Sequence, residues 1–138
     1  MLKGRNWEGY SPIIILLQII ELYFEICNIV AIFVLNLALT MRIVTFKRIK
    51  AFSELHPDSE LPLNFWYHTV TKKNWKNVND IRLDFNNVDY VGNHRFVFNI
   101  KGNDYRLAAI ISFNAKKVYI RFIGTHADYD KIKDIKSI

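Results

Sequence analysis

HRFVFNIKGNDYRLAAIISF, residues 94–113, decides the fold. His94–Ile100 alternates apolar with polar side chains, Tyr105–Phe113 alternates again, and Lys101-Gly-Asn-Asp104 between them has hairpin turn chemistry. Because successive side chains of a strand point to opposite faces, the two runs define two surfaces. One is apolar: Phe96, Phe98, Ile100, Leu107, Ala109, Ile111 and Phe113. The other holds Arg95, Val97, Asn99, Arg106, Ala108, Ile110 and Ser112. A turn at Gly102-Asn103 sets Arg95 opposite Ile110 and Asn99 opposite Arg106, with opposed residues on one face as an antiparallel ladder requires.

Working outward, a turn at Asn114–Lys117 leads to Val118–Gly124 (VYIRFIG), which continues the apolar face with Val118, Ile120 and Phe122. Tyr119, Arg121 and Ile123 then fall on the other face, so each of three strands brings one arginine to it. A turn at Ala115-Lys116 sets Arg121 opposite Ile110 and Thr125 opposite Arg106. Upstream, Met41–Thr45 is short and β-branched and reads as a strand. Phe46, Ile49, Phe52 and Leu55 mark an amphipathic helix ending before His56-Pro57. A second helix starts from Ser59 as N-cap with Pro62 in its first turn, and buries Leu63, Trp66, Tyr67 and Val70. Ile81–Phe85 alternates and reads as a strand, and Gly92-Asn93 as a turn. The fold class is α+β: two N-terminal helices on a mainly antiparallel sheet.

Ahead of this domain, residues 13–40 are overwhelmingly apolar, which sets an extension, residues 1–40, apart from residues 41–138. Of 19 Lys+Arg only Lys3 and Arg5 precede Met41, and of 13 Asp+Glu only Glu8, Glu21 and Glu25, so the second part, with 17 basic and 10 acidic residues, carries +7 and the whole chain +6. About 20 apolar residues suffice to cross a bilayer. Against a span, Glu21 and Glu25 would lie inside it, and basic residues flank both ends. Met41 opens MRIVTFKR as the start of a complete small domain, and the expectation is upstream sequence without a structural role rather than an anchor, hence a cytoplasmic protein. A single cysteine, Cys27, rules out an intramolecular disulfide framework and in its apolar run reads as a small buried hydrophobe.

The order MRIVTFKRIKAFSELHPDSELPLNFWYHTVTKKNWKN (41–77), VGNHRFVFNIKGNDYRLAAI (91–110), VYIRFIGTHADYDKI (118–132) resembles the HigB family of type II toxin–antitoxin toxins, within the RelE-like superfamily of mRNA interferases. The resemblance runs along nearly all of residues 41–135. It implies a RelE-like fold and an endoribonuclease toxin that cuts mRNA on the translating ribosome. It also implies a helix-turn-helix antitoxin encoded beside it, through which the complex reaches operator DNA, and no cofactor.

Cleaving RNA without a metal requires a base for the 2′-OH proton, cations for the phosphorane charge and an acid for the leaving oxygen. The residues that fit are Arg106, His126 and Tyr129 as the catalytic group, with Arg95 and Arg121 as phosphate ligands, since a guanidinium stays charged and pairs bidentately with phosphate. Each also has an ordinary reading: His126 as a turn residue bonding the backbone, Tyr129 as a packed aromatic, Arg121 in a structural pair. Lys72, Lys73 and Lys76 with Trp75 between them read as an RNA-tracking patch or as solvated cations at a helix C-terminus. Asp128 and Asp130 read as capping or pairing with Lys131 and Lys133, and no metal site is expected. The competing hypothesis is a non-catalytic module that binds RNA or antitoxin, tethered or not through residues 13–40.

Overall fold

The computed structural model describes residues 11–138, Leu37 by its backbone alone. Lys3, Arg5 and Glu8 lie outside the described residues. The chain divides into two units after Ala38. The first contributes helix α1, Pro12–Leu39. Its apolar side chains are exposed along its length, and so is Cys27, contrary to the burial expected from its neighbours. Among the described residues, Pro12–Asn36 is the one stretch long and apolar enough to cross a membrane, a property that signal sequences share.

The second unit runs β1 (Arg42–Ile43), α2 (Phe46–Leu55), a 3-10 turn (Pro57–Ser59), α3 (Glu60–Thr71), α4 (Val78–Asp84), β2 (Val88–Gly92), β3 (Arg95–Ile100), β4 (Tyr105–Ser112), β5 (Lys117–Thr125) and α5 (His126–Asp130). The strands form one sheet in the order β1-β5-β4-β3-β2, antiparallel except that β1 pairs parallel with β5. Strand β1 is shorter than the MRIVT pattern suggests. The Thr45 hydroxyl accepts from the Ile120 amide at 2.7 Å, so a side chain replaces the ladder there and α2 begins at the next residue.

Helix α3 starts where expected, but Ser59 does not cap it with its side chain. The hydroxyl is buried and donates to the His56 carbonyl at 2.7 Å, closing the 3-10 turn ahead of the helix. Leu63, Trp66 and Val70 are buried against the sheet, with Trp66 edge-on to Phe98 at 5.4 Å between centroids. Tyr67, at the margin of the stripe, packs on Phe46.

Two further sequence expectations are overturned. Ile81–Phe85 is not a strand. Asn77 caps a helix there, its side-chain oxygen accepting from the amides of Asn79 at 2.8 Å and Asp80 at 3.2 Å. Val78, Ile81 and Phe85 share a helical face, whereas only Ile81 and Phe85 of the three fit an alternating one, and the Asn77 bond starts the helix. Trp75 Nε1 then donates to Asp84 at 2.7 Å, tying the helix to the preceding loop.

The second correction concerns β5. The first hairpin has the expected register, Arg95 opposite Ile110 and Asn99 opposite Arg106. In the second, Ile110 faces Tyr119 and not Arg121, and Arg106 faces Gly124 and not Thr125. Ser112 and Lys117 close the turn, a two-residue displacement that keeps faces unchanged. The ladder then shifts again between Ala108 and Ala109: Ala109 pairs with Ile120 and Ala108 with Phe122, so Arg121 is an extra, bulged residue. Its carbonyl accepts from the Arg48 guanidinium of α2. One inserted residue reverses the faces of the residues after it. Ile123 turns inward and packs against the core, whereas Phe122 leaves the apolar face and joins Arg106 and Ala108.

Candidate active site

The site lies on the sheet face away from α2 and α3, at the end of β4 next to the Lys101–Asp104 turn. That turn is held from the far side by Asp58. Its carboxylate accepts from Lys101 Nζ at 2.6 Å and from the Tyr105 hydroxyl at 2.8 and 2.9 Å. The bonds to Lys101 and then Tyr105 hold the Asp58 carboxyl below its ordinary pKa, and the bond from Asp58 raises that of the Tyr105 phenol. Lys101 and Gly102 sit at φ 52° and 65°, a conformation in which glycine is free of strain.

The fixed turn presents the Asn103 carbonyl to two candidate residues. Arg106 Nη1 donates to it at 3.4 Å, and His126 Nδ1 stands 3.3 Å from it. The His126 amide donates to the Asp104 carbonyl at 3.0 Å, and its Nε2 is 3.4 Å from the Asp130 carboxylate one helical turn on. With the Nδ1 proton directed at Asn103, Nε2 is the nitrogen left to exchange a proton, and the exposed Asp130 is its neighbour. Thr125 caps α5, accepting from the Asp128 amide at 3.1 Å. Its hydroxyl, then Lys131, holds the Asp128 carboxyl below the usual range. Asp128 therefore pairs with Lys131 as expected but leaves the cap to Thr125, while Asp130 pairs with His126 rather than with a lysine.

Tyr129 completes the group. The Arg106 guanidinium carbon is 6.0 Å from its ring centroid and the Phe122 ring 6.2 Å. Burial pushes the Tyr129 pKa above its ordinary value, the charge of Asp89 adds to this and Arg106 opposes it. At neutral pH this phenol is a hydrogen-bond donor. Gly124 makes room for the aromatic pair. A Cβ there would stand 2.5 Å from Phe122 Cζ, so only glycine lets the ring lie over the strand.

The structure thus brings Arg106, His126 and Tyr129 together. Arg95 is on the same face, directing Nε and Nη2 to the Ile138 main-chain oxygen at 3.0 and 2.8 Å, the fork geometry that a phosphate also accepts. Arg121 is exposed at the bulge. Lys72, Lys73 and Lys76 lie elsewhere, beyond the end of α3. Lys73 pairs with Asp84 at 2.6 Å, and Lys116 of the β4–β5 turn donates to the carbonyl of Trp75 beside Lys76. From Arg106 to Ser112, next to that turn, β4 runs roughly 20 Å. Asn103, Phe122 and Asp58 were not legible as site residues. The first acts through its main chain, the second through a bulge that no alternation pattern shows, and the third from a distant turn.

The domain is thus a small α+β fold with arginine, histidine and tyrosine gathered on one face of its sheet. A family described as the RelE-like toxic component of a toxin–antitoxin system, the HigB toxins, matches residues 59–132. The mRNA interferase toxin HigB of Escherichia coli (strain K12) is 32% identical over 93 residues, 65% of this chain and 88% of that protein. The mRNA interferase HigB of Shigella flexneri gives the same figures, and that of Escherichia coli O6:H1 is 27% identical over 94 residues, 67% and 91% of the two chains. The chain belongs to the HigB toxin family.

Proposed function

We infer that this chain is the toxin of a toxin–antitoxin pair and an mRNA interferase, an endoribonuclease whose centre is Arg106, His126 and Tyr129. The observation that carries the residue assignment is the shared Asn103 carbonyl, which fixes Arg106 and His126 against one point with Tyr129 beside the guanidinium. His126 Nε2, released from Asp130 when substrate enters, takes the 2′-OH proton. The 2′-oxygen attacks the adjacent phosphorus. Arg106 neutralises the phosphorane charge, with Arg95 and Arg121 holding flanking phosphates. Tyr129, kept protonated by burial and by Asp89, donates to the departing 5′-oxygen. The products are a 2′,3′-cyclic phosphate and a 5′-hydroxyl. Acid–base groups of this kind contribute on the order of 10²–10⁴ in rate, and a charge-stabilising donor about 10²–10³.

The substrate in this reading is mRNA on the translating ribosome, the working part is residues 41–138 in the cytoplasm, and residues 1–40 are an extension. The neutralising partner is a helix-turn-helix antitoxin that also carries the complex to operator DNA. The lysines beyond α3 are not part of this site. The test is cleavage of one message, free and on stalled ribosomes, by purified residues 41–138. Cuts carrying 5′-hydroxyl ends on the ribosome-bound message are expected. Arrested translation with an intact message would favour the non-catalytic binder instead.

A further inference from the structure

Three large apolar side chains of α3 and α4 have no place in the core. Leu61 is 81% exposed, Phe65 70% and Leu83 83%. Helix α3 buries Leu63, Trp66 and Val70 on its inner face, which leaves Leu61 and Phe65, one turn apart, on its outer face. Phe65 and Leu83 line one open groove of 460 Å³ between α3 and α4, whose other walls include His68, Lys72 and Lys73. Nothing in the fold needs these three side chains to be apolar, and clustered exposure of this kind marks an interaction surface.

We propose that the outer face of α3, with Leu83 of α4, is the surface that binds the cognate antitoxin, through an acidic amphipathic segment of that protein. The proposal rests on the toxin–antitoxin assignment and adds the place and chemistry of the contact. Leu61, Phe65 and Leu83 are anchors for apolar side chains at helical spacing, the mode by which an amphipathic helix lies in a groove. Lys72 at the rim, where Lys73 is already paired with Asp84, selects an acidic flank and speeds encounter. A second copy of this chain fits worse, because a two-fold contact at this face sets its lysines against their own symmetry mates. RNA fits worse as well, since leucines offer nothing to a phosphate backbone and this face is opposite the one that carries Arg106.

The test uses the full chain with the helix-turn-helix protein encoded beside it. Phe65→Asp and Leu83→Asp, both at exposed positions, are each compared with wild type in three ways: growth arrest when expressed alone, rescue on co-expression, and affinity in a pull-down that needs no nuclease activity. Expected are unchanged arrest, lost rescue and binding weakened at least 100-fold, with unchanged melting temperature. Leu61→Ser, a milder change, should weaken binding about tenfold and keep partial rescue. Lys72→Ala should weaken binding severalfold at low salt and less at high salt. Full rescue of both aspartate variants would overturn the proposal. Loss of arrest without the antitoxin would also overturn it, assigning the face to ribosomal RNA. So would a wild-type dimer that Phe65→Asp converts to a monomer. Failure of the nuclease assignment would leave the pull-down result standing.

Discussion

The two hairpins β3–β4 and β4–β5 share a strand, and both alternate in sequence, yet only the first is regular. In β3–β4 every residue finds the partner that counting back from the turn assigns to it. In β4–β5 a turn centred one residue earlier than expected and then the Arg121 bulge break that counting, and the face of Phe122 and Ile123 is exchanged. Both hairpins bury core side chains and the regular one supplies the Asn103 carbonyl, but only the irregular one turns an aromatic side chain, Phe122, toward the site. With Arg121 paired in the ladder rather than bulged, Phe122 would be buried beneath the sheet, and Tyr129 would lose the aromatic surface it rests against. Alternation reports which residues a ladder can bury. It does not report where the ladder skips a residue in order to aim a side chain.

The largest effect expected on this contrast comes from deleting Arg121. Deletion leaves Phe122 opposite Ala108 and Ile123 opposite Leu107, so the faces are kept, but it removes the local kink and the carbonyl that accepts from Arg48. A destabilisation of roughly 2–3 kcal/mol is expected in denaturant melts, with loss of activity. Deletion with stability intact would mean that the bulge is incidental. Gly124→Ala is the gentler form of the same test. A methyl group against the Phe122 ring should cost about 1–3 kcal/mol and lower activity more than stability, because the ring is displaced from Tyr129. Full activity in a folded Gly124→Ala protein would separate Phe122 from function.

Smallest is the effect of the Asp58 staple on the first hairpin. Its carboxyl is depressed in the folded protein, so its contribution is present above the ordinary carboxylate pKa of about 3.9 and disappears as pH falls through the lower folded value. Amide exchange at Asp104 and His126 should therefore stay slow to about pH 4 and quicken below it. In Asp58→Asn it should be quicker at neutral pH and lose that acid dependence. Equal exchange in both proteins at neutral pH would show that the turn holds itself.

Much of this architecture is legible in the sequence because it rests on burial. Ile49, Leu63, Trp66 and Val70 at helical spacing, and Phe96, Phe98, Leu107 and Ile111 at strand spacing, declare their faces wherever they occur. Helix α4 is ambiguous because Ile81 and Phe85 fit both periods over so few residues while the exposed Leu83 fits only the strand period, and the Asn77 bond breaks the tie. Arg106, His126 and Tyr129 are legible as types of residue near a strand end. Their convergence is not, since it depends on the Asn103 carbonyl and on a bulge in the neighbouring strand. The lysines beyond α3 look continuous with the arginines in sequence, and the length of β4 separates them.

The most direct measurement of the central claim is a map of new mRNA 5′ ends after brief induction of residues 41–138, wild type against Arg106→Ala and His126→Ala. New in-frame ends in wild type that fall about 10²-fold or more in both variants, with all three proteins equally stable, are the predicted result. Ends that persist at wild-type level in both variants would leave the family assignment in place and contradict the active site.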